Sequence, residues 1–176
     1  MIEFHFKSDL LIDNISKYAD WINRVIQSEG FSVGQVDYIF CTDEYLLELN
    51  QEYLKHDTFT DIITFDYTDG GVISGDIFIS TDRVKENAKE FEEDVLNELR
   101  RVMSHGVLHL AGYGDKSKEE SKLMREKEDE KIHPLVTMNC IKNIIGDNRT
   151  NPSESLLLYG LHLSKERKII NYNDAI

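Results

Sequence analysis

Apolar and polar positions alternate at the start of the chain, where Ile2, Phe4 and Phe6 interleave with Glu3, His5 and Lys7. A period of two predicts a half-buried strand. Over residues 9–29 the spacing lengthens: Ile12, Ile15, Ala19, Ile22 and Val25 with Ile26 recur at helical intervals, and Gly30 offers a stop. Residues 33–41, rich in β-branched and aromatic side chains, predict a second strand, and a short helix carrying Leu46, Leu49 and Tyr53 follows Thr42 and Asp43. Two more strand-like runs, 61–67 and 72–80, flank Asp69-Gly70-Gly71, a strong hairpin signal. Ser80, Thr81 and Asp82 then supply an N-cap for a helical face of Val84, Ala88, Phe91, Val95, Leu99 and Val102. This face runs on to Leu110 and Gly112, long enough that a break is expected near residues 92–94. Residues 116–131 predict a charged helix with Leu123 and Met124 as its inward contacts.

The order βαβα, then ββ, then helices predicts an α+β fold with α/β-like character, a small mixed sheet packed by helices. Pro134, Pro152 and the polar stretch between Gly146 and Ser153 point to a linker after residue 132, followed by a small apolar element at 156–163. The expected organisation is one domain over 1–132 and a C-terminal extension, 133–176, of no assigned role.

The chain of 176 residues has 40% hydrophobic content, enough for a sizeable core and too much for general disorder. No run approaches the roughly 18 apolar residues of a membrane span. Acids at the N-terminus stand where a signal peptide would be apolar, and Cys41 and Cys140 form no CxxC pair. A reducing, cytoplasmic setting is therefore expected. Charge is uneven: residues 1–82 carry 16 acids against 4 bases, 83–131 carry 13 against 11, and the net is −13. Such acidity argues against a broad nucleic-acid footprint but leaves room for a local rim drawn from Arg83, Lys85, Lys89, Arg100, Arg101, Lys116, Lys118 and Lys122. The plainer reading of those charges is a solvated helix surface.

Chemistry concentrates between Ser104 and Asp115. His105 and His109 lie four apart on a predicted helix, so both imidazoles leave one face, as a helix does when it gives a metal two ligands. Gly112 lets the chain leave the helix, and Asp115 stands where it would complete a set of three. The alternative is that each His caps or packs. The zincin pattern HExxH needs Glu after the first His, and Gly106 occupies that place.

With Glu119, Met124 and Glu128 downstream, His105-Gly-Val-Leu-His109-Leu-Ala-Gly-Tyr and Asp115 resemble the main signature of the YbeY family of bacterial endoribonucleases. Leu49-Asn50-x-x-Tyr53 with Thr60-Asp-Ile-Ile-Thr-Phe65 resembles its second signature, and Gly75-Asp76-Ile77 its third. The resemblance spans residues 1–131. It implies a metal-dependent, single-strand-specific endoribonuclease acting in ribosomal RNA maturation, notably at the 3′ end of the small-subunit RNA, and in ribosome quality control. By the same resemblance zinc is the metal, with His105, His109 and Asp115 as ligands, and RNA is the partner, with ribosomal proteins or the small subunit beyond it.

Two positions depart from the family pattern. Asp115 replaces a third His, which adds negative charge and a harder ligand and keeps other divalent ions in play. Leu54 replaces an Arg suited to phosphate, and Lys55 and His56 beside it offer a cation or proton donor instead. Thr60, Asp61 and Thr64 are groove-lining candidates; Thr60 and Asp61 read equally as a strand entry. Glu119 and Glu128 read as helix-surface groups or supports for the ligands, and Cys41 and Cys140 as buried small apolar residues. His5, His133 and His162 match no motif. Two rival functions stand beside the nuclease: a metal-stabilised ribosome-assembly factor that cuts nothing, and another metal hydrolase such as a peptidase.

Overall fold

Four strands form one mixed sheet in the order β1-β2-β4-β3. The computed structural model describes the backbone of residues 1–145 and the side chains of residues 1–132. Strands are β1 (Ile2–Phe6), β2 (Ser32–Cys41), β3 (Ile62–Asp66) and β4 (Val72–Ser80); helices are α1 (Ile15–Ser28), α2 (Asp43–Leu49), α3 (Thr81–Glu90), α4 (Val95–Leu110) and α5 (Lys118–Ile145). β1, β2 and β4 run parallel, and β3 closes the edge antiparallel to β4. The parallel pair β1–β2 needs a crossover, and α1 provides it. The β3–β4 hairpin turns through Gly70 and Gly71 at φ 54° and 79°, the doubly positive geometry of a two-residue hairpin turn.

Register sorts the side chains onto two faces. Phe4 pairs with Tyr38, Tyr38 with Ile77, and Ile77 with Thr64, so these four share one face of the sheet. On that side lie α1, which buries Trp21, Ile22, Val25 and Ile26, and α4, which buries Leu99, Met103, Val107 and Leu110. The Tyr38 hydroxyl donates to the Met103 carbonyl at 3.0 Å and ties sheet to helix. The opposite face carries a smaller cluster of Cys41, Leu46 and Ile63 with Tyr45, Phe65 and Phe78. Among the described residues no helix is long and apolar enough to cross a membrane.

Several element limits differ from the sequence reading. Helix α1 starts at Ile15 rather than residue 9, because Asn14 adopts a left-handed backbone (φ 61°) that a helix cannot pass through. The expected break falls between α3 and α4, where Glu92 has φ 55° and the Asp94 side chain caps α4 by accepting from the amides of Leu96 and Asn97. Helix α5 opens on a reciprocal capping box between Ser117 and Glu120. It continues past the expected end near residue 131, through Pro134, to Ile145. Its buried stripe is Met124, Glu128, Lys131 and Ile132, a helical spacing that leaves Leu123 45% exposed instead of inward. The expected linker at 146–153 and the apolar element at 156–163 lie outside the described residues.

Helix α4 sits very close to the sheet. A Cβ on Gly106 would fall 2.9 Å from Ile77 Cγ2 and 3.0 Å from Ile62 Cδ1, and Ile77 is fully buried. Gly106→Ala should therefore cost about 1–3 kcal/mol of stability through overpacking, despite alanine's better helix propensity. Urea unfolding of the two proteins measures it; a variant as stable as the parent would show the contact is soft.

Candidate metal centre

The last turns of α4 present His105 and His109 one turn apart, and the chain then reverses. Gly112 (φ 92°) allows the reversal: its amide bonds the His109 carbonyl and the Tyr113 amide bonds the Leu108 carbonyl, a Schellman closure. The returning segment brings Asp115 back beside the two rings. Nε2 of His105 and Nε2 of His109 lie 2.8 Å apart, and Asp115 Oδ2 is 3.7 Å from the first and 3.5 Å from the second. All three side chains are roughly a quarter exposed, so the cluster opens to solvent.

Hydrogen bonds behind the rings fix their tautomers. His105 Nδ1 lies 2.7 Å from Glu128 Oε1, and His109 Nδ1 lies 2.9 Å from the Tyr113 carbonyl oxygen. Both partners are acceptors, so each Nδ1 carries the proton, and in the neutral ring each Nε2 presents a lone pair to the same point. Two lone pairs and a carboxylate oxygen repel one another unless a cation stands between them, either a shared proton or a metal ion. Tetrahedral zinc ligands at ~2.1 Å lie ~3.4 Å apart, so the two distances to Asp115 already suit such an ion. The donor set fits a divalent metal of the zinc type.

Electrostatics at the centre follow from what surrounds it. Burial would lower the His105 pKa, yet the hydrogen bond and charge of Glu128, with Asp61 and Asp115, raise it above the usual imidazole value. Burial, with the charge of His105 added, lowers that of His109. Glu128 would be raised by burial but is held below its usual range by His105 and then Arg101 and Arg125. It is 5% exposed and also receives Arg101 Nη1 at 3.1 Å and Arg125 Nη1 at 3.4 Å.

The other candidates are distributed unevenly. Asp61 belongs to the neighbourhood: burial raises its carboxyl, and His105 is the strongest charge acting on it. Thr64 lies on the helix-facing side of β3, opposite Ile77. Thr60 donates its hydroxyl to the Ile62 carbonyl at 3.3 Å, as a strand-entry residue does. Lys55 and His56 sit on an exposed stretch, residues 51–59, and they donate within their own turn: Lys55 Nζ to the Glu52 carbonyl and the His56 amide to the Asn50 carbonyl. Buried Asn50 holds that stretch at its other end by donating Nδ2 to the Thr58 carbonyl at 2.7 Å. Arg100 and Arg101 are 7% and 6% exposed, so neither contributes to a basic rim.

Glu29, and the role of Tyr113 in reaching it, escaped the sequence reading. The Tyr113 hydroxyl donates to Glu29 at 2.6 Å while its carbonyl receives His109, so one residue joins the ligand to the end of α1. Tyr113 ends the longer signature that begins at His105, but nothing local in the sequence announces a partner 84 residues away.

A model of the family described as endoribonuclease YbeY matches residues 4–136. The endoribonuclease YbeY of Flavobacterium johnsoniae is 54% identical over 132 residues, 75% of this chain and 95% of that protein. The chain belongs to the endoribonuclease YbeY family. Within the YbeY family, the protein of Cytophaga hutchinsonii is 48% identical over 129 residues, covering 72% of this chain and 90% of its own. The solution structure of TM1509 from Thermotoga maritima matches with a TM-score of 0.58 at 26% identity, over 86% of this chain and 98% of that one.

Two measurements probe this YbeY centre. Glu128→Gln keeps the shape but weakens the grip on the His105 Nδ1 proton, and metal affinity should fall about 10–100-fold in competition with a chromophoric chelator. Unchanged affinity would show that Glu128 serves packing alone. The second concerns Glu29, 6% exposed, which burial would raise but which hydrogen bonds from Lys131, Tyr113 and Lys127 hold down to about 2. A depressed carboxylate stabilises the fold above its unfolded value of 4.5 and loses that contribution as pH falls towards 2. Between pH 7 and pH 3 the loss amounts to about 2 kcal/mol. Urea unfolding at the two pH values should show it, and Glu29→Gln should shrink the difference by about that amount.

Proposed function

We propose that the chain is a metal-dependent endoribonuclease that cuts single-stranded RNA in ribosomal RNA maturation. The carrying observation is the convergence of His105, His109 and Asp115, with both Nδ1 protons committed elsewhere, in a chain of the endoribonuclease YbeY family. We assign zinc as the ion and the 3′ end of the small-subunit RNA as the place of action, with ribosome quality control as the wider setting. Ribosomal proteins or the small subunit would be the partners, and the cytoplasm the compartment. Residues 1–132 are proposed as the catalytic domain, and 133–176 as an appendage to it.

A divalent ion held at this centre supplies Lewis acidity toward a phosphodiester. The chain's own residues do the remaining work. Glu128 and the Tyr113 carbonyl hold the two Nδ1 protons and so aim both Nε2 lone pairs. Asp61 and Thr64, with Thr60 at the strand entry, line the side of the groove formed by β3. Lys55 and His56 would meet the phosphate in place of the family arginine, Lys55 as a cation and His56 as a proton donor. Gly106 faces the sheet, so a peptidase-type base next to the first His is absent. Relatives at about half identity bear the endoribonuclease name, which favours cutting over a purely structural role.

The test is cleavage of an unstructured RNA by zinc-loaded protein, run beside His109→Ala and a chelated control. Cleavage should vanish in both controls. A sample shown to hold its metal that leaves the RNA intact would transfer the chain to the non-catalytic assembly role.

A further inference from the structure

Phe59 is a large aromatic side chain that the fold leaves 52% exposed. It is not loose. The Arg83 guanidinium carbon lies 4.8 Å from the ring centroid. Arg83 is itself anchored, with Nε 2.9 Å from Asp43 Oδ2 and Nη1 3.0 Å from Glu86 Oε2. A cation held by two carboxylates braces one side of the ring while the ring stays open to solvent. Nor is Phe59 remote from the candidate centre. Ile62, three residues on and within ~11 Å along the chain, packs against α4, with its Cδ1 3.0 Å from where a Cβ on Gly106 would lie, and Gly106 directly follows His105. The Asp61 carbonyl accepts the Ser80 amide at 2.9 Å, and Ser80 caps α3, which carries Arg83, so these residues gather at one end of the sheet.

The surroundings narrow the occupant. Three of the four exposed aromatic rings among the described residues, Tyr53, Phe59 and Tyr67, fall within or beside β3 and the stretch leading to it. Tyr53 is 57% exposed and rests edge-on against Phe65, with centroids 5.3 Å apart. Between Tyr53 and Phe59 the chain carries Leu54, which is 50% exposed, and then Lys55, His56 and Asp57, so charged and polar groups separate the two rings along the chain. Isolated, rigidly supported π-faces suit flat, separately presented groups, and unpaired nucleobases are such groups. A duplex keeps its bases stacked on one another and has no free face to give.

We infer that Phe59, braced by Arg83, is a stacking platform for an unpaired base of single-stranded RNA next to the His105–His109–Asp115 centre. The platform rests on the endoribonuclease reading and adds to it the side chain that rejects paired RNA. It also assigns Arg83 a role other than phosphate binding, since its charge is already matched by Asp43 and Glu86.

The experiment is equilibrium binding of the full chain to labelled single-stranded RNA by fluorescence anisotropy, with zinc and with chelator. A parallel oligonucleotide carries abasic sites at the same charge. Wild type should bind the natural RNA about tenfold more tightly than the abasic one. Phe59→Ala should lose that preference, Phe59→Trp should restore it, and thermal midpoints should stay level across the three. Equal affinity for natural and abasic RNA in wild type, or a preference that survives Phe59→Ala, overturns the platform. Cleavage assayed on the same samples separates the two readings. Base-dependent binding without cleavage supports the platform and defeats the nuclease; cleavage with base-blind binding does the reverse. A wild-type protein that neither binds nor cuts RNA overturns both.

Discussion

The close approach of α4 to the sheet at Gly106 is the constraint on which the site depends. A helix usually keeps its distance from a sheet by the length of the side chains between them. Here one missing Cβ lets Ile62 and Ile77 meet the helix backbone. His105 precedes that contact and His109 follows one turn later, so the surface buried by α4 fixes the direction in which both rings leave it. Tyr38, donating to Met103 from the sheet, locks the helix against rotation about its own axis. Rotation by a fraction of a turn would carry both rings together away from Glu128 on α5, which holds the His105 Nδ1 proton.

Around this rigid element the fold builds supports from distant parts of the chain. Glu128 arrives from α5 and the Tyr113 carbonyl from the segment after α4. Arg101, one turn before His105, reaches back to the same Glu128 that holds the ring. The carboxylate is thereby charge-matched on two sides, which keeps it ionised although it is nearly buried. Tyr113 extends the network to Glu29 and through it to Lys127 and Lys131 on α5. Beyond the stability it contributes at neutral pH, this ion cluster restricts where the ligand segment can sit.

Much of this was legible from the sequence, and the reasons are local. The hairpin at Gly70–Gly71, the cap at Ser80 and the helical spacing of the two histidines are encoded within a few residues of where they act. Asp115 was legible through Gly112, whose positive φ the reversal requires. What escaped was either a backbone state or a long-range partner. Nothing in the spacing of residues 9–29 reveals that Asn14 turns left-handed. For Glu128 the sequence leaves a surface group and a support for the ligands both open, because helix α5 carries acids on every side, and only packing selects the one that faces inward. Arg100 and Arg101 read as solvated-surface or rim cations by the same ambiguity: a charged residue on a helix reads alike whether its face is wet or buried.

That misreading bears on how an acidic protein of net charge −13 handles a polyanion. Its bases sit mainly in residues 83–131, and there the structure turns several of them to internal use: Arg101 and Arg125 on Glu128, Lys127 and Lys131 on Glu29, Arg83 on Asp43. Cations matched in this way aim carboxylates and brace rings, and they add little to the field that a phosphate backbone feels from outside. Attraction must then arise close to the centre and from contacts indifferent to charge. Stacking on exposed rings is such a contact, and it is available only to bases that are not already paired. On this view, preference for single strands requires no separate gate. It would follow from an acidic surface together with aromatic faces that duplexes cannot use.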